Sequence, residues 1–166
     1  VFSKDPVVLD NTWGGYTLKA GAVPVGTNFQ LVSTGNLSGK YVYVFTCDAQ
    51  GNITLHHPLP YYNALRIGQN TRWVIPDPNS VLRIVHPGRD FTVILCSTHE
   101  IQNIKNRFYA LSQYTPETFF TQLRTAFPEL MPWSQTSFRS NEMSVRGICS
   151  GPQPSAIATV LMIEGE

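Results

Sequence analysis

The stretch KYVYVFTCDAQGNITLHH, residues 40–57, constrains the fold more than any other part of the sequence. It begins with a strongly β-forming run, Lys40–Asp48, in which the two tyrosines and the phenylalanine point one way and the alternate residues point the other. Both faces are apolar, so we expect a central strand that is covered on both sides. Asp48–Gly51 then supplies a hairpin turn, and ITLHH returns as the partner strand.

Short β-forming runs separated by glycine and proline recur along the chain, which has 12 residues of each kind. Further strands are predicted for Tyr16–Lys19, Thr27–Ser33, Thr71–Pro76, Ser80–Val85, Phe91–Ser97, Glu142–Ser150 and Ala156–Glu166. The segment before the first of these reads as irregular. Because the early runs are closely spaced, we predict antiparallel pairing in a mainly β fold. The expected architecture is a β-sandwich of about eight or nine strands.

A late helical insertion is predicted over residues 99–127. Apolar residues first recur there at helical spacings, at Ile101, Ile104, Phe108 and Leu111. Thr115 and Pro116 then suit the start of a second helix, whose apolar face consists of Phe119, Phe120, Leu123 and Phe127. We expect these helices to cover an edge or one end of the sandwich.

The charge balance excludes several classes of partner. Charged residues make up 14% of the chain, and 12 basic against 11 acidic residues leave a net charge of +1. No long-range attraction to nucleic acid or anionic lipid follows from that balance, and no run is long and apolar enough for membrane insertion. The sequence begins at Val1 rather than at Met, so we expect a mature or excised piece of a longer protein.

The three cysteines, Cys47, Cys96 and Cys149, are an odd number at wide spacing and do not form a disulfide framework. Each lies near the end of an apolar run, so we expect small buried hydrophobic side chains. The alternative is a disulfide between two of them in an oxidising compartment.

The sequence offers little sign of catalysis or metal binding. His56 and His57 are adjacent on a strand and therefore point to opposite faces, and the Cys96–His99 pair has no second pair of ligands near it. We predict no catalytic residue, no metal and no cofactor. The enzymatic alternative is a site assembled from distant residues such as Cys96, His57 and His86.

The loop HHPLPYYN holds the one candidate binding surface. Tyr61 and Tyr62, together with Trp133, could form a stacking platform for a carbohydrate or a peptide. The more ordinary alternative, which we expect, is that one tyrosine of the pair packs under the loop and the other is simply exposed.

Several motifs in the first part of the chain resemble a bacterial domain family of unknown function. The corresponding segments are Val23–Gly26, Tyr41–Phe45, Asp48–Gly51, Leu55–Pro58, Gly68–Pro76 and Gly88–Ser97. They correspond to the family's V-x-x-G opening, its aromatic strand, its acidic-to-glycine turn, its proline loop and its two later strand motifs.

Members of that family are commonly appended to bacterial protein kinases, caspase-like peptidases or envelope lipoproteins. The resemblance implies a β-rich accessory domain without known catalytic residues. We expect its partners to be other domains of the parent protein or a protein or glycan ligand. It favours a periplasmic or cell-envelope location. We expect one domain over residues 1–166, with a family-like β core at 23–97, the helical insertion at 99–127 and closing strands at 142–166.

Overall fold

The computed structural model describes residues 6–10, 13–33, 37–66, 72–111, 114–115, 117–132, 135–140, 142–147 and 155–166. These residues form twelve strands, two short α-helices and one 3-10 helix. In chain order the elements are β1 (Val7–Asp10), β2 (Gly15–Leu18), β3 (Asn28–Phe29), β4 (Leu31–Ser33), β5 (Tyr41–Cys47), β6 (Ile53–His57), β7 (Trp73–Ile75), β8 (Leu82–Arg83), β9 (Gly88–Ser97), α1 (Ile104–Arg107), the 3-10 helix (Phe108–Leu111), α2 (Phe119–Ala126), β10 (Thr136–Arg139), β11 (Glu142–Gly147) and β12 (Ala156–Gly165).

A six-stranded sheet in the order β1-β2-β12-β9-β5-β6 forms the centre of the fold. Strand β5 is interior, as its two apolar faces predicted, and it pairs with β9 on one side and β6 on the other. All neighbouring strands run antiparallel except β2 and β12, which are parallel. The sheet is therefore mixed, which corrects the expectation of purely antiparallel pairing.

The helices pack on one face of this sheet. Phe119 of α2 stacks on Phe91 of β9 with ring centroids 4.2 Å apart, and Phe127 stacks on Phe45 at 5.8 Å. All four rings are buried. Covering the face removes far more apolar surface from water than covering an edge would, so the helices lie on the face rather than at the expected edge or end.

Short two-stranded ladders cover part of the opposite face. The β3–β8 and β4–β7 pairs bring Ile84 and Ile75 against that side of the sheet, where they pack near Leu161 and Val44. The mainly β prediction is confirmed. The described residues form one large sheet with helices on one side and small ladders on the other, and they show no closed sandwich.

Several strand boundaries differ from those predicted. The run Thr27–Ser33 divides at Gln30, because its first part pairs with β8 and its second part pairs with β7. The Gln30 side-chain amide donates to the backbone carbonyl of Ser80 at 2.7 Å, which fixes the break. The segment expected to be irregular before Tyr16 contains β1.

The last strand joins the late part of the chain to the early part. Strand β12 pairs with β9 from Ala156↔Ser97 to Gly165↔Gly88, and it also contacts β2. The carbonyl of Glu129, just after α2, accepts hydrogen bonds from the N–H groups of Ser155 and Ala156. The predicted division into a core, an insertion and closing strands stays a prediction, although all three parts contribute to one packed unit. No helix in the described part of the chain is long and apolar enough to cross a bilayer.

Candidate binding cleft

The β5–β6 hairpin is tied at its turn by one carboxylate. Asp48 Oδ1 accepts hydrogen bonds from the N–H groups of Gln50 and Asn52, and Gly51 adopts the positive φ of 83° that the turn requires. The hairpin turn is therefore placed as predicted. At its other end, β6 leads directly into the proline- and tyrosine-bearing loop.

That loop faces a polar segment that follows β9, and an open cleft of about 420 Å³ lies between them. We call this the tyrosine cleft. The loop contributes Pro58, Tyr62 and Asn63, and residues 100–106 line the rest together with buried Tyr43 and Ala64. A volume of this order falls within the usual range for small-ligand sites.

Both tyrosines of the loop are exposed. Tyr61 is fully exposed and Tyr62 is 71% exposed, so the expectation that one of the pair packs under the loop is wrong. Tyr62 lines the cleft, whereas Tyr61 lies outside its lining. Trp133, the third residue of the predicted platform, lies outside the described residues.

The backbone of Tyr61 is in the left-handed region, with φ at 72°. A residue with a side chain seldom adopts this conformation, and the cost is about 1–2 kcal/mol. The exposed ring gains no packing energy to offset that cost. Residues held in such conformations cluster at functional sites.

A hydrogen bond at the base of the cleft connects the sheet to the polar segment. The N–H of Ile101 donates to Tyr43 Oη at 2.8 Å, and both residues are buried. Burial raises the pKa of Tyr43 above its ordinary value, and the donated hydrogen bond opposes that rise. The hydroxyl therefore stays neutral and serves as a fixed point for the segment 100–106.

The cleft presents side-chain amides with free hydrogen-bonding capacity. Asn63 Oδ1 accepts from the N–H of Leu65, which leaves its NH₂ group to donate. Gln102 Nε2 donates to Glu100 Oε2 at 2.9 Å, which leaves the carbonyl oxygen of Gln102 to accept. Sequence reasoning missed the contribution of residues 100–106, although the amide-rich run EIQNIKN directly after a strand was the available signal.

The two histidines at the end of β6 lie outside the cleft lining. His57 packs edge-on against Trp73 at 4.9 Å, and Arg66 lies over the same indole at 4.7 Å. Burial, aided by the Arg66 guanidinium, lowers the pKa of His57 to about 4. Burial also lowers the pKa of His56, whose Nε2 lies 2.8 Å from Thr46 Oγ1. Both imidazoles are neutral near pH 7.

Cys47 and Cys96 face opposite sides of the sheet. Cys47 is buried in the cluster under the helices, and Cys96 packs beside Val42 and Ile75 on the other face. Both are free thiols, and their placement excludes a disulfide between them. Burial raises the pKa of Cys96 to about 11 and raises that of Cys47 further. Cys149 lies outside the described residues.

The residues of the enzymatic alternative are not assembled. Cys96 lies near the last residue of β9, whereas His86 precedes its first residue. Ten extended residues span about 33 Å, so these two groups lie at opposite ends of the sheet. Within the described ranges, no three histidine, cysteine or acidic side chains lie close enough to hold a metal ion together.

A family model matches part of the chain. Residues 22–100 match a family model described as "Domain of unknown function (DUF4384)". The matched range begins just before β3 and ends at Glu100, so it includes β3 to β9 and the loop that carries Tyr61 and Tyr62. Neither curated proteins nor solved structures gave a match to the chain.

Proposed function

Residues 22–100 of this chain are a domain of the DUF4384 family, and from that premise we propose that the protein is a noncatalytic binding module of a larger bacterial protein. It binds its ligand in the tyrosine cleft. The partners are neighbouring domains of the parent protein together with a protein or glycan ligand, and the setting is sensing or scaffolding at the cell envelope.

One observation carries this proposal. Two adjacent tyrosines of one loop are held in solvent: Tyr62 lines the cleft, and Tyr61, which lies outside the lining, occupies a strained backbone conformation. Tyrosine is suited to recognition because it supplies a large rigid ring and a polar hydroxyl at low entropic cost.

The state of the nucleophile candidates supports a noncatalytic role. A thiol needs a depressed pKa to attack a substrate at neutral pH, yet burial raises the pKa of Cys96 to about 11. The ring of His57 packs against Trp73 and lies near the Arg66 cation, and burial together with that cation lowers its pKa to about 4.

The test is binding of the purified chain to glycan and peptide arrays, followed by titration of each hit against single variants. We expect Tyr62→Ala to weaken binding by about tenfold or more, because it removes the ring that lines the cleft. Tyr109→Ala is the matched control, since Tyr109 is 81% exposed and lies outside the cleft lining.

Two results would contradict the proposal. One is binding that Tyr62→Ala and Tyr109→Ala leave equally unchanged, because the ligand site would then lie elsewhere. The other is turnover of substrates in a broad hydrolase panel that Cys96→Ala or His57→Gln abolishes, which would support the enzymatic alternative.

A further inference from the structure

We propose that the tyrosine cleft binds a neutral saccharide, with the ring of Tyr62 stacking on a sugar face and side-chain amides hydrogen-bonding to its hydroxyl groups. This inference rests on the proposed binding function and names the chemical class of its ligand. Three independent features of the cleft favour a sugar over the other ligand classes.

The first feature is charge. Glu100 and Lys105 are the charged residues among those that line the cleft, and their charges cancel. An anionic ligand such as a phosphate or a nucleic acid is recognised by clustered basic residues, which this lining lacks among the described residues. The lining therefore suits a ligand without net charge.

The second feature is the kind of polar group presented. Amide side chains offer a donor and an acceptor in one plane, and this pairing matches adjacent sugar hydroxyls, each of which both donates and accepts. Asn63 retains free donors and Gln102 retains a free acceptor. Asn103 and Asn106 add two further amides on the same segment.

The third feature is the backbone geometry. An extended peptide commonly binds by adding a strand to an open sheet edge. The strand residue in the lining is Tyr43 of β5, and this strand pairs with β9 on one side and, on the other, with Leu65 at Tyr41 and with β6 from Val44 to Cys47. The outer edge of β6 has no partner strand in the described sheet, but no residue of β6 lines the cleft. The rest of the lining comes from a loop and the start of a helix, so recognition falls to side chains.

Asn103 allows the amide contribution to be tested without disturbing the fold. Its backbone is left-handed, with φ at 54° and ψ at 40°, a conformation that glycine adopts without strain. Asn103→Gly therefore removes the carboxamide while it preserves the path of the segment. The N–H of Asn106 bonds to the backbone carbonyl of Asn103, and this bond survives the substitution.

The experiment is calorimetric titration of the whole chain with neutral hexasaccharides of glucose, xylose and N-acetylglucosamine. Polygalacturonate and a library of extended peptides serve as the competing ligand classes. We expect at least one neutral hexasaccharide to bind, with an affinity that changes less than about twofold between low salt and about 0.5 M NaCl.

Single variants locate the binding. We expect Tyr62→Ala to lower the affinity by about tenfold, Tyr62→Phe to stay within about threefold of the parent, and Asn103→Gly to lower it by about threefold or more. Tyr109→Ala is expected to leave the affinity for the saccharide unchanged. Circular dichroism melting of each variant separates a lost contact from a lost fold.

The outcomes distinguish this inference from the proposed function on which it rests. Peptide or polygalacturonate binding that depends on Tyr62 would overturn the saccharide assignment and leave the binding function in place. If no member of any class binds in the millimolar range, or if bound saccharide is insensitive to Tyr62→Ala, both proposals are wrong.

Discussion

The buried hydroxyl of Tyr43 accepts a hydrogen bond from the backbone N–H of Ile101, and this 2.8 Å contact ties the central strand of the sheet to the polar wall of the cleft. The donor belongs to the segment 100–106, whose amides we assign to ligand binding. The rigidity of the site therefore depends on a residue that the sequence marks only as a strand tyrosine.

Replacing Tyr43 with phenylalanine is expected to loosen that wall. The substitution keeps the ring but leaves the buried N–H of Ile101 without an acceptor, at a cost of about 1–3 kcal/mol. Urea unfolding should show a lower free energy of unfolding. The affinity for ligand should fall as well, because the segment 100–106 is less ordered. Tyr41→Phe is the control, since Tyr41 is only partly buried on the same strand. An unchanged midpoint for Tyr43→Phe would contradict the assigned role of the hydrogen bond.

Relief of backbone strain at Tyr61 is expected to raise stability. Asparagine tolerates the left-handed conformation better than tyrosine does, and the fully exposed ring of Tyr61 contributes no packing. We expect Tyr61→Asn to increase the free energy of unfolding by about 0.5–1 kcal/mol, measured by urea denaturation. Tyr62→Asn supplies the comparison, because Tyr62 does not have a positive φ and should show no gain. A destabilised Tyr61→Asn variant would mean that the ring makes a stabilising contact.

The bidentate ion pair between Arg107 and Glu129 is expected to hold the helical layer together. Its two nitrogen–oxygen distances are 2.8 and 2.7 Å, and Arg107 also donates to the carbonyl of Ala126 at the end of α2. Because both side chains are largely buried, Arg107→Ala should cost about 1–3 kcal/mol, which differential scanning calorimetry can measure.

A second ion pair is the internal control for that measurement. Arg89 and Glu117 lie 3.8 Å apart with both side chains exposed, so Arg89→Ala should not shift the melting temperature measurably. Equal shifts of the melting temperature for the two arginine substitutions would show that burial and bidentate geometry do not decide how much an ion pair stabilises this fold.

Stability is expected to fall in mild acid because of His57. Burial and Arg66 lower its pKa in the folded state from 6.5 to about 4, so below pH 6.5 the unfolded chain binds a proton that the folded chain resists. The stability is therefore complete above pH 6.5 and is lost progressively as the pH falls toward 4. The difference in unfolding free energy between the parent and His57→Phe, measured at several pH values, isolates this contribution. His86→Phe is the control histidine. A difference that does not vary between pH 7 and pH 4 would contradict the assignment.

Local patterns predicted some of these features well. The alternation in Lys40–Asp48 predicted an interior strand, and the Asp48–Gly51 turn followed from residues that the turn geometry requires. Helical spacing predicted the region that contains α1 and α2. In each case the residues that specify the element are neighbours in sequence, so the signal is local.

Features that depend on distant partners were not predictable in this way. Whether α2 lies on a face or at an edge depends on the rings it meets, such as Phe91, and these are remote in sequence. The break of the predicted strand Thr27–Ser33 at Gln30 arises because β7 and β8 pair with its two parts separately. Only one side of the cleft, the tyrosine loop, was predicted. The opposing wall, residues 100–106, comes from a segment about forty residues further along the chain. Sequence periodicity carries no information on a contact between segments so far apart.

The position of β12 bears on how the chain reaches its folded state. The strand is inserted between β2 and β9, and its pairing with β2 joins Tyr16 to Leu161. During synthesis the sheet cannot close until residues 156–165 have left the ribosome, and until then the facing edges of β2 and β9 are open to other chains. The DUF4384 segment alone, residues 22–100, would keep the β9 edge permanently open, so its expression without the later strand should favour aggregation.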